Sequence, residues 1–271
     1  MSLEDEFDVL IAGGGLAGSL CALHLMAHSL RVGLIDHHQP GVGASSNPAS
    51  LLNPIPGATL NPKQGSLRAH AFTSAWLQSL PSHVRCHIRT DLQLLRPFDL
   101  SIRTGRRLKR SFEESAPIIR NHIHAELLSA ADLKRTYPLL DGCDGAVLLQ
   151  GAATAPLACL LSHVKAELSK GPAKQLGGRL LDLEPNQRGW HVKTSCGNFD
   201  TAKVVLALGS GLPEIFPALP FRQTAGHLAV VDLPGQFPRG FAVSGRGHLA
   251  PLADGTWSLG ATYHQEDSPE P

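Results

Sequence analysis

Residues 8–36 read DVLIAGGGLAGSLCALHLMAHSLRVGLID, and the order of the parts in this stretch decides the fold. Val9, Leu10, Ile11 and Ala12 make a short apolar run, the composition of a strand buried on both faces. Gly13, Gly15 and Gly18 follow at G-x-G-x-x-G spacing, with Gly14 between the first two. Leu16, Leu20, Leu23 and Ala27 then recur at helical spacing, so a helix is expected to open inside the glycine cluster, with Leu16 and Ala17 in its first turn. A second strand, from Arg31 to Ile35, ends in Asp36. Each part has a physical task. The first glycine permits a tight turn, the second lets backbone N–H groups approach a pyrophosphate, and the third lets helix pack closely on strand. A carboxylate closing the second strand accepts from both hydroxyls of an adenosine ribose. A lone glycine motif is weak, but strand, glycines, helix, strand and acid in this order indicate a dinucleotide site. Asp36, where an arginine would take a 2′-phosphate, points to FAD or NAD.

The chain of 271 residues is long enough for one large or two modest domains. With 24 Lys and Arg against 23 Asp and Glu, it exerts no bulk electrostatic pull on nucleic acid or on an anionic membrane. Five widely spaced cysteines without a C-x-x-C pair read as reduced thiols of a cytoplasmic protein, neither a disulfide framework nor a zinc site. Glu4, Asp5 and Glu6 carry the wrong charge for a signal peptide, and the glycines inside the apolar run disfavour a membrane span. No metal site is expected, because His24 and His28 lack a third ligand and the other histidine pairs lack the spacing.

Residues 39–64, dense in Gly, Pro, Ser and Asn, are expected to form a long loop whose Leu51, Leu52 and Ile55 order against something apolar such as a flat cofactor ring. Helices are expected from Ser66 to Leu80 behind a Ser66 cap, from Ser129 to Tyr137, and from Pro156 to Leu168. The basic cluster Arg106, Arg107, Lys109 and Arg110 reads as a solvated turn among short strands. A meander over residues 178–202 leads into Lys203 to Gly209, an apolar strand expected to return, in parallel, to the sheet begun at Asp8. Three strand candidates close the chain: His227 to Val231, Gly247 to Leu252 and Trp257 to Thr262. A frayed tail from Gln265 to Pro271 is expected after them.

These pieces resemble the FAD-dependent oxidoreductases of the D-amino-acid oxidase and glycine oxidase type. The resemblance rests on the glycine loop, on Asp36, and on Gly43-Ala44-Ser45-Ser46-Asn47, with Val204 to Gly209 and the strands from Gly247 to Thr262 as weaker matches. The Asn47 to Pro54 run is similar to the flavin domain of the bifunctional enzymes that mature wobble-uridine side chains in tRNA. The resemblance implies an α/β fold: a Rossmann-like FAD-binding domain (1–82 and 150–221) with an interleaved antiparallel-sheet substrate domain of α+β type (83–149 and 222–271). It implies that Gly13, Gly14, Gly15, Leu16, Ala17 and Gly18 hold the diphosphate, and that Asp36 and His37 flank the ribose. Gly43, Ala44, Ser45, Ser46 and Asn47 would border phosphate or ribityl oxygens, and Leu51, Leu52 and Asn53 the isoalloxazine. Leu183 would meet adenine through its backbone, with Ala207 and Gly209 beside it. The reaction implied is oxidation of a C–N bond of an amino acid or secondary amine, with O2 or another acceptor taking the electrons; nucleic acid is a partner only under the tRNA-modifying variant. Arg246 or Arg222 would clamp a substrate carboxylate, and His227 and His248 carry a weak catalytic assignment.

The resemblance also leads one to expect a last strand, a glycine-rich turn and a helix beyond Thr262. Since the chain stops at Pro271, weak FAD binding and poor amine oxidation are expected of it, or cofactor binding without turnover. An NAD-dependent dehydrogenase shares the fingerprint, but the Gly43 to Asn47 loop speaks for flavin.

Overall fold

The computed structural model describes residues 7–37, 43–221, 223–234, 237–262, 264 and 265. In chain order it contains β1 (Phe7–Ala12), α1 (Leu16–Met26), β2 (Val32–Asp36), β3 (Ser50–Leu52), α2 (Ser66–Ser79), α3 (Ser82–Arg85), β4 (Arg89–Phe98) and α4 (Arg103–Arg120). There follow β5 (Ala125–Ser129), α5 (Ala130–Thr136), β6 (Gly145–Ala155), α6 (Leu157–Leu168), β7 (Lys174–Gly177), β8 (Leu180–Asn186), β9 (Gly189–Thr194) and β10 (Gly197–Leu206). After α7 (Leu212–Ile215) come β11 (Leu228–Val231), β12 (Phe241–Ser244), β13 (His248–Pro251) and β14 (Trp257–Gly260). Two units divide them. Met1–Pro48, Leu157–Thr224 and Gln265–Pro271 make the first, and Ala49–Pro156 and Ala225–His264 the second. The first boundary therefore falls at 48/49 rather than after residue 82, because β3 pairs with β6 and Leu67 of α2 joins the second unit's core.

In the first unit a six-stranded sheet runs β7-β2-β1-β10-β9-β8. Val9 to Ala12 are buried, as a strand flanked on both edges requires. β1 lies parallel to β2 (Val9↔Val32, Ile11↔Leu34) and parallel to the second half of β10 (Val9↔Lys203, Ala12↔Leu206). The expected return of the Val204 strand to β1 is thus observed, with an addition. β10 is continuous through the meander, and its first half pairs antiparallel with β9 (Asn198↔Lys193, Thr201↔Trp190). At the opposite end of β1 the Asp8 carboxylate accepts from the Arg31 guanidinium and backbone N–H, and these bonds hold it below the usual carboxylate range. Ser29, just before β2, sits at φ 59°, a left-handed conformation that glycine adopts without cost.

The second unit is built on a sheet ordered β11-β14-β13-β12-β4-β6-β3, with β5 also paired to β6. β4 and β6 form its buried axis (Leu94↔Leu149, Leu95↔Leu148). All its pairs are antiparallel except β4 with β12 (Gln93↔Phe241), so the sheet is mixed at that seam. The basic cluster is not a turn. It lies on the outer face of α4, whose Leu108, Phe112, Ala116 and Ile119 recur at helical spacing and enter the core. On that outer face Lys109 pairs with Glu113 and Arg110 with Glu114, one turn on in each case. Of the 39–64 segment, residues 39–42 lie outside the described residues, and 43–64 are more ordered than a bare loop. Ile55 and Leu60 are buried in this unit's own core, and the Leu60 N–H donates to Ser111 Oγ at 3.0 Å. Arg96, buried on β4, donates to the carbonyls of Ile55 (3.2 Å) and Gly57 (2.8 Å), and desolvation draws its pKa below the ordinary arginine value. Helix α5 begins at a capping box between Ser129 and Asp132. Helix α2 is capped differently: Gly65 at φ 78° is its N-cap, and the Ser66 hydroxyl donates to the Lys63 carbonyl.

Candidate cofactor site

The site lies wholly in the first unit, beyond the carboxyl ends of β1, β2, β7 and β10, where open α/β sheets place their ligands. Gly13 turns out of β1 at φ 106°, and a Cβ there would run into the Ala207 carbonyl. A Cβ on Gly14 would lie 2.5 Å from Asp36 Oδ2, so only a glycine lets the loop pass this close to the acid. Gly18 sits under the loop, where a Cβ would meet the Gly13 carbonyl. Helix α1 begins at Leu16 with Gly15 as N-cap and no acid in its first turn, which leaves positive dipole and unpaired N–H groups at that end. One is partnered: the Leu16 N–H donates to Ser45 Oγ at 2.9 Å. Ser45 therefore ties the Ala44–Ser46 turn to the helix. Ser46 instead donates to the Gly43 carbonyl at 2.6 Å, which commits it to the turn. Gly43 holds φ 82°, and the Asn47 carbonyl accepts from the Leu157 N–H.

Asp36, at the end of β2, has a partner that its sequence neighbourhood does not announce. Lys165 Nζ of α6 lies 3.6 Å from Asp36 Oδ2, and both side chains are about four-fifths covered. The cleft beside Asp36 and His37 is closed by Gly178, Arg179 and Leu180 on one wall and by Leu208, Ser210 and Glu214 on the other. The Ala207 N–H donates to Ala12, and Gly209 begins a short turn at φ 56°. Leu183 is not on this wall. It pairs with Val192, packs on the sheet core, and its N–H donates to the Asp182 carboxylate.

Residues 8–271 match the family model described as FAD dependent oxidoreductase. The chain belongs to that family. FAD is accordingly its cofactor, and the chain is an oxidoreductase by family. Among curated relatives it is 27% identical to the tRNA 5-methylaminomethyl-2-thiouridine biosynthesis bifunctional protein MnmC of Chromohalobacter salexigens, over 96% of this chain and 37% of that one. It is 25% identical to the protein of the same name from Caulobacter sp. strain K31, over 95% and 39%. The chain thus spans well under half the length of these relatives. Among solved structures, glycine oxidase from Geobacillus kaustophilus superposes with a TM-score of 0.80 at 18% identity, over 97% of this chain and 73% of that one. L-Amino acid deaminase from Proteus myxofaciens superposes at 0.73 and 16% identity, over 96% and 59%. At these identities the structural likeness is one of fold.

The residues present fit FAD. Three glycines clear the backbone approach to α1, Asp36 stands at the cleft with acceptor oxygens, and Ser45 offers a hydroxyl beside the loop. Asp36→Ala in this flavoprotein is expected to weaken FAD by about 1–3 kcal/mol, the range for losing a charged hydrogen-bond partner. Titration of the apoprotein with FAD measures it, and an unchanged affinity would place the carboxylate away from the cofactor.

The remaining residues of interest lie in the second unit. Leu51 and Leu52 are on β3, opposite Thr154 and Ala153, and Asn53 Oδ1 accepts from the Ile55 N–H. Arg246 is exposed at the tip between β12 and β13, and His227 is exposed with its N–H donating to Thr262 Oγ1. His248 is half-buried, its Nε2 lies 2.9 Å from Ser258 Oγ, and burial lowers its pKa. Arg222 lies outside the described residues. Among those residues, no three potential metal ligands come together and no helix is long and apolar enough to cross a membrane.

Proposed function

We propose that this chain oxidises the C–N bond of an amino acid or secondary amine. The observation that carries this reading is the extent of the family match, residues 8–271, which takes in the second unit as well as the dinucleotide cradle. Bound in the cleft, FAD supplies the electron sink for a hydride leaving the carbon beside a neutral amine. The chain's own groups bind and orient. The first turn of α1 faces the diphosphate charge, Asp36 accepts from the ribose, and Lys165 neutralises the carboxylate that remains.

In the second unit burial disfavours the charged form of the His248 imidazole. The Ser258 hydroxyl donates to the Ala49 carbonyl, which in the neutral ring favours the tautomer with the proton on His248 Nε2, facing Ser258. Arg246, exposed on its hairpin tip, suits a substrate carboxylate. O2 or another acceptor would reoxidise the cofactor, and a cytoplasmic setting accords with five free thiols.

A second reading, oxidation of an aminomethyl group on a tRNA wobble uridine, is favoured by the names of the relatives that match over 95–96% of the chain. Stopped-flow mixing of the FAD-loaded chain with sarcosine, glycine and a proline series tests the proposal. Loss of visible flavin absorbance with at least one of them is expected. Bleaching only by tRNA bearing a substituted aminomethyl group would select the second reading. Retention of full absorbance with every amine would remove amine oxidation and leave cofactor binding.

A further inference from the structure

Both walls of the FAD cleft carry a charged side chain, and the two meet. Arg179 is held at its backbone from both sides: its N–H donates to Ser195 Oγ at 2.9 Å, and its carbonyl accepts from the Ser195 N–H at 3.0 Å. The Gly178 N–H before it donates to the Asp36 carbonyl at 3.1 Å, so the arginine leaves the backbone from a fixed point beside the ribose acid. Glu214 stands on the other wall, on the single turn α7 that follows the Gly209–Gly211 bend. Arg179 Nη2 donates to Glu214 Oε2 at 2.5 Å, joining positions 35 residues apart. Their side chains keep 51% and 61% of their surface exposed, so the bond is a poor source of stability for the fold. Its position has more to do. It ties together two walls of the cleft that also presents Gly13 and Asp36.

We infer that Arg179 and Glu214 form a latch across the cleft that retains the adenosine end of FAD and opens to release it. The inference rests on FAD as the ligand of this cleft. Charge compensation supports it as well. Asp36 and Glu214 would together repel a diphosphate, but Lys165 faces the first and Arg179 the second. The two halves of the latch are therefore not equivalent. Arg179→Gln opens it and leaves an unpaired carboxylate on the rim, which slows entry of an anion. Glu214→Gln opens it and leaves a cation there, which does not.

FAD release, followed by recovery of flavin fluorescence after dilution of the loaded protein, tests the latch at low and high salt. Both variants are expected to release FAD about two- to fivefold faster than the parent at low salt, the scale of one exposed ion pair. The parent should accelerate towards the variants as salt screens the pair, while the variants stay flat. The double variant should be no faster than either single one, and only Arg179→Gln should bind more slowly. ADP, which carries the adenosine end alone, should repeat the pattern in its own dissociation rate. Release at the parental rate in both variants, or parental release indifferent to salt, would overturn the latch while leaving the cofactor site standing. A parent chain that takes up neither FAD nor ADP would overturn both.

Discussion

Gly15→Val is expected to yield a folded, colourless protein. A Cβ built at Gly15 meets a single side chain, with Ser45 Oγ at 3.1 Å and Ser45 Cβ at 4.0 Å, so alanine asks only a small movement of that serine. Valine adds two methyl groups at the mouth of α1. There they displace Ser45 from the Leu16 N–H and fill the space where backbone donors meet the diphosphate. Losing two charge-assisted hydrogen bonds costs roughly 3–6 kcal/mol, a weakening on the order of 100-fold or more. Far-UV circular dichroism should match the parent while visible absorbance after incubation with FAD and desalting disappears. Gly15→Ala should keep most of the colour. A valine variant as yellow as its parent would move the diphosphate away from this helix.

The largest loss of stability is expected from Phe112→Ala. Phe112 is 2% exposed on the inward face of α4, among Leu108, Ile119, Leu94 and Leu149, and the Arg120 guanidinium lies 5.6 Å from its ring centroid. Truncation removes a large apolar side chain, leaves a cavity and takes away the cation's partner. Phenylalanine-to-alanine changes in cores cost about 3–5 kcal/mol, a large share of a typical domain's total stability. The urea midpoint should fall sharply, and Arg107→Ala on the outer face of the same helix should barely move it. A loss below about 1 kcal/mol would mean that α4 is not docked on the sheet as described.

The helix carrying Phe112 is also where the sequence misleads, for an identifiable reason. Its first half, RTGRRLKR, has a glycine and five cations, and its apolar stripe becomes regular only from Leu108 onward. Pro117 then interrupts the pattern from inside. Strand β6, GAVLLQGAATA, escapes notice for the opposite reason: small residues buried nearly throughout leave no alternation to detect. By contrast, β1, α1 and β2 are legible because three independent signals (the apolar run, the glycine spacing and the closing acid) coincide within one short stretch. α5 and α6 are legible from their starts, a Ser-x-x-Asp box and a proline. The site divides the same way. The glycine loop and Asp36 can be read locally, whereas Lys165 is the lone Lys or Arg in an apolar helix. The Arg179–Glu214 pair spans 35 positions, and nothing in the intervening residues signals that they meet.

The closure of the first sheet on β10 bears on how the chain is made. Thr201 Oγ1 donates to the Phe7 carbonyl across 194 positions of sequence. Between β1 and its partner in β10 the chain carries all of β3 to β6, which belong to the other unit. A ribosome adding about 5–20 residues per second takes on the order of 10–40 s to go from the one strand to the other. Through that interval β1 can form its edge with β2 but not with β10, and its buried run, Val9 to Ala12, stays half-paired. The inserted unit's β4–β6 axis is complete well before then. The β4–β6 axis can thus form before the first sheet closes, while the nascent dinucleotide strand waits with one edge unpaired, the kind of edge that invites pairing with another chain.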